Sequence, residues 1–252
     1  MKKMSVIIGM CFLVLGLMAQ NKKTFMLDDQ QVVPPKFVGE VVNEPVVETS
    51  PICCFLQKNL PNDKRINGSL TEGTVAIEFT VNKDGSLTNF VVVNGVSFDL
   101  DQSVIDCIKD SEGMWQPGEV NGRPSAMEKR IYVRFDNPDN APFEEIVRNH
   151  YYTAIKHFTK GQNFENNKLI EKNKQERKAH RMYKHSLAQL NDAMVYLPND
   201  PSLAFWKAKN YEQLRMDEQM IEMLELRREL LSMRADEQKL KEYNNLAVIS
   251  FK

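Results

Sequence analysis

The chain has little of what most catalytic and metal sites need. Its 252 residues include four cysteines, four histidines and two tryptophans. No Cys-x-x-Cys pair occurs, and no His/Cys spacing suits zinc. His150, His157, His180 and His185 make neither His-x-x-x-His nor Glu-x-x-His; the two pairs are seven and five apart, and only the first returns to the same side of a helix. There is no Gly-x-Ser-x-Gly elbow and no glycine-rich phosphate loop. Lys and Arg total 33 against 34 Asp and Glu, a net charge of −1, which points away from nucleic acid. We therefore expect no enzyme, no cofactor and no metal site.

Long apolar runs are also scarce. The most apolar stretch, Met4 to Met18, follows Lys2 and Lys3 and precedes Leu17-Met18-Ala19-Gln20. It is short for a membrane span, which needs about 20 residues. The order of charge, apolar run and small residue reads as a signal peptide over residues 1–19, with cleavage after Ala19. The alternative is an uncleaved anchor. Cys11 lies inside the apolar run without the small residues of a lipoprotein box, so no lipid anchor is expected. Residues 20–44 show no period, include Pro34-Pro35, and read as an extended lead-in.

What the chain does have begins at Gly73. Val75, Ile77, Phe79 and Val81 alternate, which predicts a strand with one buried face. Asn82-Lys83-Asp84-Gly85 is a hairpin turn, and Leu87 to Val93 is a β-branched second strand. Asp99 and Asp101 offer helix caps ahead of the stripe Val104, Ile105 and Ile108. Trp115-Gln116-Pro117-Gly118 and Asn121-Gly122-Arg123-Pro124 are loops, and Ile131, Val133 and Phe135 alternate in a last strand.

This ordered set resembles the C-terminal domain of the TonB energy-transducer family. The resemblance rests on Gly73-Thr74-Val75, Val81-Asn82-Lys83-Asp84-Gly85, Leu100-Asp101, Trp115-Gln116-Pro117-Gly118, Asn121-Gly122-Arg123-Pro124 and Ile131-Tyr132-Val133-Arg134-Phe135. Phe55 to Pro61 resembles the short helix ahead of the sheet in some members. The resemblance covers about residues 45–136. It implies an envelope protein of a Gram-negative bacterium, with a protein or peptide partner such as an outer-membrane receptor. In the family the last strand adds an extended partner peptide to the sheet. That strand is 127–135 here, which makes Glu128, Arg130, Tyr132 and Arg134 candidate partner-binding residues. Tyr132 should point away from Ile131 and Val133, towards solvent or partner. The family ends with this domain, whereas here a long segment follows, and the lead-in is shorter than the family's periplasm-crossing spacer. Both departures favour a periplasmic binding or scaffold protein over a membrane-anchored energy transducer, which stays the alternative.

Asn137 to Pro142 is a turn-rich boundary. Beyond it four helices are expected, at 143–160 with Gly161 as a stop, 167–197, 203–214 and 217–233, within a helical domain of 143–245. Residues 235–245 would add a weak turn, and Leu246 to Ile249 needs somewhere to bury. Ala193, Pro198, Ala208 and Tyr211 resemble a tetratricopeptide repeat junction over about 182–233, although Lys207 and Arg227 depart from it. A plain antiparallel bundle is the other reading. Trp206 and Tyr211 are candidate groove residues if the helices bind a partner. The basic run from Lys168 to Lys184 reads as a solvated helix face. The expected architecture is thus α+β: a small TonB-like sheet domain with packed helices, then an all-α, tetratricopeptide-like domain.

Cys53-Cys54 opens the first short helix and Cys107 lies on the second. An oxidising compartment permits a disulfide from the pair to Cys107, with Cys54 as the candidate; buried thiols packing as small apolar groups are the other state.

Overall fold

The computed structural model describes residues 31–39, 50–63, 65–66, 71–167, 169, 171–235 and 246–250. The signal segment and Cys11 lie outside the described residues, as do residues 236–245. Among the described residues, no helix is long and apolar enough to cross a membrane.

The alternating stretch forms β3 (Gly73–Val81), and the β-branched run forms β4 (Leu87–Asn94). The turn between them places Gly85 at φ 83°, a left-handed conformation that suits glycine. Strand β8 (Met127–Asp136) pairs antiparallel with β3, setting Val75 against Val133 and Ile77 against Ile131. On the far side of β8 lies β9 (Leu246–Ser250), which runs parallel to it from Tyr132↔Leu246 to Asp136↔Ser250. The order is β4-β3-β8-β9. Here the C-terminal apolar run finds its place: Ala247 and Ile249 enter the core, and Val248 is partly exposed.

Helices α1 (Pro51–Asn59) and α2 (Phe98–Lys109) cover one face. Ile52, Cys53 and Leu56 from α1 and Leu100, Val104 and Ile108 from α2 join Val75, Ile77, Phe79, Ile131, Val133 and Phe135 in one core. The α2 cap differs from the sequence expectation. Ser97, two residues earlier, has extended backbone and accepts from the Leu100 amide at 3.3 Å. Asp99 and Asp101 instead lie in the first turn, where Asp101 accepts from the Val96 amide at 2.9 Å. Burial raises the Asp101 carboxyl above its ordinary value, against the pull of that hydrogen bond.

The described lead-in is tied to the domain. Strand β1 (Val32–Val33) pairs with β6 (Gly118–Val120), which pairs in turn with β7 (Arg123–Ser125). Strand β2 (Lys36–Phe37) pairs with β5 (Trp115–Gln116). Trp115 is buried edge-on against Phe37 and Phe79, and its indole N–H donates to Ser111 at 2.9 Å.

The second half is four helices: α3 (Phe143–Glu165), α4 (Lys172–Tyr196), α5 (Pro201–Leu214) and α6 (Asp217–Ala235). Each packs on the next. Helix α3 does not stop at Gly161. A Cβ placed there would lie 2.6 Å from the Tyr183 ring, so this glycine lets α4 approach the α3 backbone. The Tyr183 hydroxyl donates to Glu165 at 2.8 Å. Helix α5 starts on Asp200, whose carboxylate accepts from the Ser202 and Leu203 amides. It ends at Arg215, in left-handed conformation.

Candidate functional site

The helices lie against the sheet face opposite α1 and α2. The hydroxyl of Thr74 donates to the carbonyl of Tyr196 at 2.6 Å, and the Asn94 amide reaches the Thr74 carbonyl at 2.6 Å and the Val195 carbonyl at 3.5 Å. Arg134 stacks over the Phe143 ring at 4.8 Å and lies 3.6 Å from Glu144. The register sets Thr74, Ala76 and Glu78 beside Arg134, Tyr132 and Arg130 on this face. Ala76 is 0% exposed and Tyr132 4%.

Two sequence expectations change here. Tyr132 does point away from Ile131 and Val133, but it meets the helical half rather than solvent. The strand expected to add a partner peptide is taken over residues 132–136 by the chain's own β9. The physical reason is that Ala247 and Ile249 gain a core while the strand gains a backbone ladder.

Between the sheet face and α4–α6 remains a cleft of about 940 Å³. Val93, Arg130 and Tyr132 line it from the sheet; Lys207, Met223 and Leu226 line it from the helices. Arg130 spans it: its guanidinium is 2.6 Å from Glu78 and 3.5 Å from Glu229 of α6. Burial works against the charged Arg130, but Tyr132, Glu78 and Glu229 outweigh it and hold its pKa above the ordinary arginine value. Lys207 differs. Among the described residues no carboxylate forms an ion pair with it. Burial lowers its pKa, and the more distant Glu222 opposes this.

Of the six partner-binding candidates, the cleft gathers two, Arg130 and Tyr132. Glu128 is exposed near the start of β8. Arg134 is held under α3, with a buried Nε that has no partner among the described residues. Trp206 belongs to the helical core: its indole donates to the Tyr151 hydroxyl at 2.8 Å and its ring packs edge-on against Phe158. Tyr211 is half-buried, and burial followed by Glu222 raises its pKa. Lys207, Met223 and Leu226 sit in no binding or catalytic motif of the sequence. The one signal was Lys207 itself, a charge where the repeat pattern wants an apolar side chain.

His157 and His185 meet across α3 and α4 with ring centroids 5.5 Å apart, and His157 Nδ1 is buried without a partner among the described residues. Burial, then His185, lowers the His157 pKa. Among the described residues no group of three or more His, Cys, Asp or Glu side chains could hold a metal. Cys53, Cys54 and Cys107 are free thiols.

Residues 60–136 match the Gram-negative bacterial TonB protein C-terminal. The match ends with β8, so α3–α6 and β9 lie outside it. No curated protein and no solved structure matches the chain. The TonB C-terminal domain points to the Gram-negative envelope and to protein partners there. In this chain it carries an additional helical layer on one sheet face and an added parallel strand on the edge of β8.

Proposed function

We propose that the protein is a non-enzymatic binding or scaffold protein of the periplasm. In this reading it is exported through residues 1–19 and holds an extended segment of an envelope protein. The observation that carries this is the pairing of closure and opening around β8. Its edge is filled by β9 over 132–136, while a cleft of about 940 Å³ opens on the face beside it, between sheet and helices. Clefts with apolar walls and a few placed polar groups are the usual form of a binding site. A helical groove, rather than addition of a strand to β8, is then the mode of recognition. The tetratricopeptide-like junction supports it, since stacked helix pairs commonly present concave binding faces.

Two experiments test this. A photo-crosslinker at Glu225, on the cleft, should capture an envelope protein that the same crosslinker at Glu119, on β6, does not. Equal capture from both positions would defeat the cleft assignment. N-terminal sequencing should find the native protein starting at Gln20 in the periplasmic fraction. A start at Met1 in the inner membrane would instead support the energy-transducer reading, the alternative that an uncleaved apolar run from Met4 to Met18 would require.

A further inference from the structure

Charge in the cleft is unevenly committed. Arg130 has two carboxylates, Glu78 and Glu229, within ion-pair distance. Lys207 lines the same cleft from α5, half-buried, and among the described residues has neither an ion pair nor a hydrogen bond to its ammonium. The neighbouring Lys209 shows the contrast. It points out of the cleft and pairs with Glu212 at 2.8 Å. A desolvated ammonium is costly unless an anion comes to it. Glu222, on the cleft wall, acts on Lys207 only from beyond pairing distance. The wall facing Lys207 is mixed: Val93, 45% exposed, lines the sheet side, and α6 contributes Met223 and Leu226 together with Glu222, Glu225, Arg228 and Glu229.

We infer that Lys207 is a specificity-determining residue of the cleft, which selects a partner segment carrying an Asp or Glu side chain between apolar neighbours. This deepens the cleft reading above and rests on it. Lys207 is half-buried in the cleft, where a carboxylate carried on a partner side chain can approach its ammonium. Val93, Met223 and Leu226 take the flanking side chains. A lysine suits this role, being a compact charge with three rotatable donors that accepts a carboxylate from several directions.

The test uses fluorescein-labelled hexapeptide amides, Ala-Val-Glu-Val-Val-Ala and its Gln counterpart, in anisotropy titrations with the full chain. The Glu peptide should bind at least fivefold more tightly. That preference should vanish in Lys207→Met, persist in Lys209→Met and grow in Glu222→Gln. A second readout needs no substitution. In protein carrying ¹³C-methylated lysines, the Lys207 resonance should titrate at higher pH once the Glu peptide is bound, a change that a purely structural lysine would not show. Equal binding of the Glu and Gln peptides would overturn the inference and leave the cleft reading standing. A Gln peptide with a free C-terminus that matches the Glu peptide would overturn the side-chain assignment. Failure of every peptide to bind would overturn both readings.

Discussion

Thr74 on the first sheet strand and Tyr196 at the end of α4 are joined by a hydrogen bond of 2.6 Å, hydroxyl to carbonyl. The contact does two things. It satisfies one of the last carbonyls of α4, which have no partner within the helix. It also fixes the helical half to the sheet, so the cleft has a defined width. Thr74→Val keeps the shape and removes the donor, leaving that partly buried carbonyl unpaired. We expect a loss of about 1–3 kcal/mol in urea unfolding. An unchanged midpoint would mean that water replaces the contact at no cost.

The approach of α4 to α3 depends on Gly161. Its missing Cβ is the space occupied by the Tyr183 ring, 2.6 Å from where that atom would be. Gly161→Ala therefore forces α3 and α4 apart although alanine is the better helix former. The expected cost is about 1–3 kcal/mol, the usual range for overpacking. Adding Tyr183→Leu should recover part of it. A stabilised Gly161→Ala protein would show that the ring yields without penalty.

Strand β9 is an integral part of the sheet. Ile249 is 3% exposed within the main core. Ile249→Ala should cost about 2–5 kcal/mol. In hydrogen exchange, the amides of residues 132–136 that face β9 should lose protection in this variant before the rest of the sheet. Uniform loss across β3 and β8 would show that β9 does not open separately.

The thiols differ in reactivity. Burial pushes Cys53 from the ordinary 9.0 to about 11, offset in part by the Ser50 hydroxyl, and pushes Cys107 to about 12. At pH 8 iodoacetamide should label the partly exposed Cys54 first and the other two slowly, because the thiolate is the nucleophile. Mass spectrometry of tryptic peptides reads the order. The folded thiols hold their protons more tightly than the unfolded ones. Their contribution to stability is therefore complete below about pH 9 and falls as pH rises through about 11 to 12. Cys54 that labels only after reduction, with a tryptic peptide linking it to Cys107 before reduction, would instead establish the Cys54–Cys107 pairing that the sequence allows.

The sheet core offers the bluntest check. Val133 faces Val75 across β3 and β8 and is 0% exposed. Val133→Asp places a carboxylate where no partner is available, at a cost comparable to a domain's whole stability of about 5–15 kcal/mol. Loss of the cooperative melting transition is expected; retention of the native transition would show that the register has been misassigned.

What the sequence determined by itself was local. The alternation Val75-Ile77-Phe79-Val81 and Ile131-Val133-Phe135 set both strands and their buried faces, because a period of two leaves no other choice of side. The turn at Gly85 and the helix start at Asp217 were legible because backbone chemistry there depends on the residue itself, whereas α5 begins at Pro201, two residues before the expected 203. Tertiary structure decided what distance along the chain conceals. Leu246 to Ser250 pairs with a strand over 100 residues earlier, and nothing in either segment names the other. Gly161 reads as a helix stop until Tyr183 is known to lie on it. Tyr132 and Lys207 acquire their places only when the helices fold back on the sheet. Burial, unlike period, belongs to the partner surface as much as to the residue.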